Sequence, residues 1–344
     1  MNVLKQRDPS GMLIKAAQVW EQAASLTEMT DIEHDRREIR AIVIAGMGGS
    51  ALSGKLLRSL LAPHLTTPLE VIHDYTLPKY VSRSTLVIAC SYSGNTEETV
   101  AMFEDAITHH DHPQLAVISS GGVIAKRAEE RHILHAHSTP GQPPRMVTIA
   151  ILKALLEILE QFGCIDSRFT KEVTACSDWL RTHTEEWVRD SLTSYNLAKQ
   201  LALLAVGKTP LFHAGPLMAP LAYKWKTSWN ENAKNLAFTS TYPESSHNEL
   251  LGWTSHPIEK PFVIFDLVSR FEHPRTSAHI ALTDKLLSGR RPKSHSIELE
   301  GDSIIRQMLW GCILAEFASI YTAILNGVNP ERVDLIDRFK TELG

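Results

Sequence analysis

The sequence predicts an α/β protein built from two doubly wound parallel-sheet domains in tandem, with a helical connector between them and a helix at the C-terminal end. Three observations carry this. The apolar runs at 41–45, 86–90 and 115–118 are continuous rather than alternating, as in strands buried on both faces. Helix-like segments separate them, which implies parallel strands with crossover helices. A second series of the same kind begins at 211–214. At 344 residues the chain is long enough for two domains with cores of their own.

The elements follow in order. Residues 11–27 read as one amphipathic helix, with Leu13, Ala16, Val19, Trp20 and Ala23 at helical spacing. A strand at 41–45 runs through Gly46-Met47-Gly48-Gly49-Ser50 into a helix at 50–61. Strands follow at 69–73 and 86–90, then a helix at 96–106 whose first-turn acids, Glu97 and Glu98, suit its dipole. Strands at 116–119 and 133–136 complete a five-strand set. Gly141-Gln142-Pro143-Pro144-Arg145 breaks the pattern and reads as a connector. The expected domains are therefore 1–150 and 151–344. Helical sequence covers 147–162 and 168–204, and the second domain places strands at 211–214, 236–239, 262–267 and 296–299. A helix at 304–326 and a short one at 333–343 close the chain.

Composition narrows the function. A net charge of −4 argues against a general nucleic-acid or membrane-surface binder. Met1 to Pro9 has no apolar h-region, so no signal peptide is expected. The apolar stretch at 308–325 is interrupted by Gly311, Glu316 and Ser319, and no membrane span is expected. Cys90, Cys164, Cys176 and Cys312 form no C-x-x-C pair, which fits idle thiols in a reducing cytoplasm better than a disulfide scaffold or a zinc knuckle. His109-His110-Asp111-His112 reads as a solvated loop, and no metal is assigned.

Three short loops carry chemistry. Gly46–Ser50, Ser91-Tyr92-Ser93-Gly94-Asn95-Thr96 and Ser119-Ser120-Gly121-Gly122 each follow a predicted strand. Glycines admit close backbone approach, helix starts offer unpaired N–H groups, and hydroxyls add donors without charge. Turn chemistry alone explains one such loop. Three at successive strand ends point to a phosphate monoester. The matching loop of the second half reads Gly215-Pro216-Leu217; Pro216 lacks an N–H and Leu217 crowds the backbone. One phosphate site per chain is expected, in the first half.

These loops resemble those of the SIS (sugar isomerase) domain. With Asn230-Glu231-Asn232-Ala233-Lys234, Ser246-His247-Asn248-Glu249 and Ile336-Asp337-Arg338-Phe339-Lys340, the tandem arrangement is similar to the bifunctional phosphoglucose/phosphomannose isomerases. The resemblance implies two SIS-like domains and interconversion of glucose 6-phosphate, and mannose 6-phosphate, with fructose 6-phosphate. It implies that Ser50, Ser91, Ser93 and Thr96 hold the phosphate and that Gly48 and Gly49 lie against the sugar. Glu231 would move the proton between C2 and C1. His247 would help open the ring from a partner subunit, Lys340 would assist at the ring oxygen, and Arg145 would stabilise the enediolate. A homodimer with shared sites follows, with a hexose phosphate as its small-molecule partner. The reaction needs one carboxylate lying across both carbons, a proton shuttle and a cation, and no metal or redox cofactor.

Read without the resemblance, Glu231 is a helix-end acid, His247 a loop residue, Lys340 surface decoration and Arg145 a structural ion-pair partner. Pro330-Glu331-Arg332-Val333 lacks the threonine that the family uses near this point to admit the mannose epimer, so the glucose reaction is the firmer expectation. A non-catalytic sugar-phosphate sensor and an isomerase of another six-carbon sugar phosphate stand as alternatives.

Overall fold

The computed structural model describes residues 6–32, 37–254 and 261–343. The chain forms two compact units. One is Trp20–Asp178; the other joins the described parts of Met1–Val19 and Trp179–Gly344.

The Trp20–Asp178 unit holds a six-stranded sheet of β1 (Glu28–Met29), β2 (Ala41–Gly46), β3 (Leu69–Ile72), β4 (Thr85–Cys90), β5 (Gln114–Ser119) and β6 (Leu134–His137), ordered β1-β6-β5-β4-β2-β3. The five expected strands are parallel. β1 adds one short antiparallel pairing at the β6 edge, Glu28 opposite His137 and Met29 opposite Ala136. Every residue of β4 is buried, as its unbroken apolar run requires. Side chains alternate between the two faces. Ile44 packs beneath the helix Gly48–Leu61. Val43 and Val87 meet Ala106 of the helix Glu97–Thr108, and Val117 meets Ile124 and Ala128 of the helix Gly122–Glu130. The sheet is thus covered on both sides.

The other unit holds a four-stranded sheet of β7 (Thr209–Ala214), β8 (Phe238–Thr241), β9 (Phe262–Val268) and β10 (Ser294–Glu298), ordered β10-β9-β7-β8 and parallel throughout. Its core centres on Phe212, whose ring lies 5.0 Å from Trp229, 5.5 Å from Trp225 and 5.6 Å from Phe265. The helix Ile304–Asn326 passes through this unit. Its 23 residues and mean hydropathy of 1.7 are enough to cross a membrane, but 89% of the apolar window is buried inside the protein, so it reads as a core helix. Ser303 starts it by accepting the Arg306 N–H at 3.2 Å, and Gly327 ends it in the left-handed conformation.

The structure moves the domain boundary. The expected division at 150 falls inside the helix Thr148–Gln161, which packs on the helix Gly48–Leu61 and on β5, and the chain changes units at 178/179 instead. The helix expected at 11–27 is two short helices, Met12–Ala16 and Glu21–Ala24. The first packs on Ile304–Asn326 in one unit and the second on Thr148–Gln161 in the other. Arg7 fixes this N-terminal segment by donating to the Ile324 carbonyl at 2.7 Å, and Lys15 by pairing with Glu331 at 2.9 Å.

Between β5 and β6, Ser119 Oγ and His135 Nε2 share a buried hydrogen bond of 2.8 Å. Burial pushes the His135 pKa down from 6.5 to about 4, and neighbouring His137 adds to the shift. Between those two values the unfolded chain binds a proton that the folded chain refuses, so this residue's contribution to stability is lost as pH falls through that window. His135→Gln is expected to flatten the acid limb of stability there, read as the urea midpoint at successive pH values. Equal slopes in both proteins would refute this.

Candidate active site

In the first sheet, β3 is laid on one side of β2 and β4 on the other. Strand order therefore reverses at β2, and the loops leaving the carboxyl ends of β2 and β4 part around a crevice, where open parallel sheets bind ligands. The three glycine- and serine-bearing loops lie at the ends of β2, β4 and β5.

The loops are tied to one another by their own polar groups. Ser50, in the first turn of the helix Gly48–Leu61, accepts the Tyr92 N–H on its Oγ at 3.2 Å. Ser91 Oγ donates to Thr96 Oγ1 at 2.9 Å and accepts the Gly94 N–H at 3.2 Å. Ser93 is exposed, and its Oγ accepts the Asn95 N–H at 3.3 Å. Asn95 Oδ1 takes the Val123 N–H at 3.0 Å, while Ser120 donates its N–H and its hydroxyl to the Tyr92 carbonyl at 2.8 and 2.7 Å. Gly94 has φ 69°, and a Cβ there would stand 1.7 Å from the Gly121 carbonyl oxygen; two loops touch through bare backbone. Met47 and Thr96 precede the helices Gly48–Leu61 and Glu97–Thr108, and neither caps its helix with its own side chain. The first-turn N–H groups and positive dipole ends remain for a ligand. None of these loop residues carries charge. The cradle suits an anion held by N–H and O–H donors.

Arg145 belongs to the same unit. It is 6% exposed, in a short 3₁₀ turn, Pro144–Met146. Gln22 Nε2 holds the Met146 carbonyl at 2.8 Å, and Ser53 Oγ donates to the Thr148 carbonyl at 3.0 Å, fixing the turn against the helix that starts the cradle. Tyr92, which the sequence reading passed over, completes the link. Its hydroxyl donates to the Thr139 carbonyl at 2.9 Å and accepts the Gln142 N–H at 3.0 Å. One loop thus contributes Ser91, Ser93 and Thr96 to the cradle and, through Tyr92, steadies the segment that delivers Arg145. Gly48, Gly49, Ser50, Ser91, Ser93, Thr96 and Arg145 gather in one unit.

Glu231, His247 and Lys340 lie in the other unit, on three separate elements. Glu231 is half-buried at the last turn of the helix Ala219–Glu231, and its carbonyl accepts from Lys234 Nζ at 2.7 Å. His247 is exposed at the end of the 3₁₀ turn Glu244–His247. Lys340 stands on the helix Asp334–Leu343, which has no buried residue.

The loop after β7 differs from its counterpart after β2. Met218 N–H donates to Glu272 Oε1 at 3.0 Å, and the Leu217 N–H also reaches that carboxylate. Burial raises the Glu272 pKa, against the pull of these two N–H groups. A Cβ on Gly215 would lie 2.3 Å from Glu272 Cδ, so the carboxylate nests directly on the glycine. A carboxyl group of the chain itself occupies this helix start.

Comparison with known proteins accords with this layout. A family model, the bacterial phospho-glucose isomerase C-terminal SIS domain, matches residues 194–343. The bifunctional phosphoglucose/phosphomannose isomerase of Aquifex aeolicus is 31% identical over 318 residues, covering 92% of this chain and 94% of the relative. The chain belongs to this isomerase family. The protein of the same description from Caldicellulosiruptor bescii is 32% identical over 311 residues, 89% of this chain and 90% of its own. The C-terminal domain of glucosamine-fructose-6-phosphate aminotransferase from Francisella tularensis shares the fold, with a TM-score of 0.71 at 14% identity over 93% of this chain and 98% of its own. The family match at 194–343 takes in Glu231, His247 and Lys340.

Because Gly94 has no room for a side chain, Gly94→Ala is expected to part the loops and abolish inorganic-phosphate binding in calorimetry, with circular dichroism unchanged. Phosphate bound as tightly as by the parent would show that the loop contact does not shape the cradle.

Proposed function

We propose that this protein is an aldose–ketose isomerase that interconverts glucose 6-phosphate, and mannose 6-phosphate, with fructose 6-phosphate through a cis-enediolate. One observation carries the reading: a cradle of uncharged, hydroxyl-bearing loops leading into helix starts at the parting of β2 and β4, in a chain of the isomerase family. Such a cradle recognises the phosphate, which is unchanged in the reaction, and leaves the sugar carbons free.

Each residue then has a task. Ser50, Ser91, Ser93 and Thr96 hold the phosphate with the backbone N–H groups around them, and Gly48 and Gly49 let the sugar lie close. Glu231 takes the proton at C2 and returns it at C1, a transfer for which a half-buried carboxylate suits better than a fully hydrated one. Arg145 balances the negative charge that grows on oxygen in the enediolate. His247 moves the proton between the C1 hydroxyl and the ring oxygen, since imidazole exchanges protons near neutral pH. Lys340 assists at the ring oxygen. The exposure of His247 fits a homodimer in which this turn completes the partner's site. The free thiols of Cys90, Cys164, Cys176 and Cys312 fit a cytoplasmic protein of carbohydrate metabolism.

Glu231→Gln is expected to lower turnover by roughly 100- to 10,000-fold while fructose 6-phosphate still binds. In heavy water the parent enzyme should place deuterium at C2 of the recovered aldose. Near-normal turnover in the variant would remove Glu231 from the mechanism, and binding without exchange in the parent would favour a sensor. If sites are shared, mixing Glu231→Gln with His247→Ala subunits should recover part of the lost activity. No recovery after verified subunit exchange would place both residues in one chain's site.

A further inference from the structure

We propose that Glu316 is a positioning residue for Glu231, acting through Asn232. The inference rests on the reading of Glu231 as the proton-transferring base. Lys224, Ser228 and Asn232 recur every fourth residue and form one stripe along the helix that carries Glu231. That stripe faces the helix Ile304–Asn326. Glu316 Oε1 pairs with Lys224 Nζ and takes a long hydrogen bond from Ser228 Oγ at 3.4 Å. Its Oε2 accepts from Asn232 Nδ2 at 2.9 Å, and the same amide nitrogen reaches Ser319 Oγ at 2.9 Å. Lys224 and Glu316 are only 2% and 1% exposed, and Asn232 and Ser319 are wholly buried.

Stability alone does not call for this arrangement. Two buried charges lose much of their hydration, and well-packed apolar residues often serve a fold as well or better. A directional network supplies registration instead. Asn232 directly follows Glu231 and keeps the helical N–H bond to the Ser228 carbonyl at 2.8 Å. Its side chain is anchored to Glu316, so the backbone under Glu231 cannot rotate or slide without breaking that bond. The next turn is pinned as well, because Lys234 Nζ bonds both the Glu231 carbonyl at 2.7 Å and the Pro330 carbonyl at 3.1 Å. A base that serves two adjacent carbons needs this, since a displacement of about 1 Å costs on the order of 100-fold in rate.

The test compares two neutral replacements of the ion pair. Lys224→Met with Glu316→Leu removes the carboxylate acceptor and leaves Asn232 with Ser319 Oγ, which sits on the same helix but without the charge; Lys224→Met with Glu316→Gln keeps an oxygen at position 316. The leucine double variant is expected to lose about 100-fold in kcat, with KM and inorganic-phosphate affinity within about twofold of the parent. The glutamine double variant is expected to regain most of kcat. Parental kcat in the leucine variant, or equal loss in both, would overturn the proposal. Asn232→Ala leaves the ion pair in place and decides the matter should the double variants unfold: a kcat drop with unchanged KM supports positioning, and parental kcat refutes it. Glu231→Gln, measured alongside, separates the two readings. If it keeps its turnover, the base assignment falls; if it is inactive while the leucine variant is fully active, only the positioning role falls.

Discussion

An open parallel sheet offers an anion a crevice lined by helix starts where two of its strand ends part. Here that parting lies between β2 and β4, forced by laying β3 and β4 on opposite sides of β2. Both strands are buried on both faces, so their ends cannot drift. The helices that follow point their N-terminal turns at the gap, and the loops between are short, hydroxyl-rich and uncharged. Ser50, Asn95 and Ser120 place hydrogen bonds across to neighbouring loops while Ser91 braces its own, which gives the cradle its shape before a ligand arrives.

Much of this was legible because it is local. An unbroken apolar run marks a buried parallel strand, and a strand ending in glycine and serine before a helix marks an anion loop. What was not legible depends on partners far along the chain. β1 has two residues and no apolar run; it exists because β6 offers an edge to Glu28 and Met29. The break at 16–21 is invisible in an amphipathic pattern; each short helix packs within its own unit, on contacts distant in sequence. Tyr92 sits inside a motif that was read residue by residue, yet its bonds go to the Thr139 carbonyl and the Gln142 N–H, backbone groups that no residue type announces. The stripe of Lys224, Ser228 and Asn232 was hidden in a polar run, where a buried lysine looks like a solvated one until Glu316 is placed opposite it. The roles assigned to Glu231, His247 and Lys340 came from resemblance; their own surroundings are a helix end, an exposed turn and an exposed helix.

The two sheets follow one plan with different outcomes. Both lay their second strand on one side of the first and their third on the other. In the first, the loops at the reversal stay open and uncharged. In the second, the aromatic cluster of Phe212, Trp225 and Trp229 and the ion pair of Lys224 with Glu316 seat the helix after β7 in its unit.

Glu272 gives that difference a physical meaning. A helix start that waits for phosphate feels its counter-charge come and go with every catalytic cycle, and its neighbours must tolerate the change. The helix leading to Glu231 has a carboxyl group of the chain itself on the N–H groups of Leu217 and Met218. The fold itself has thus filled, after β7, the kind of helix start that stays open after β2.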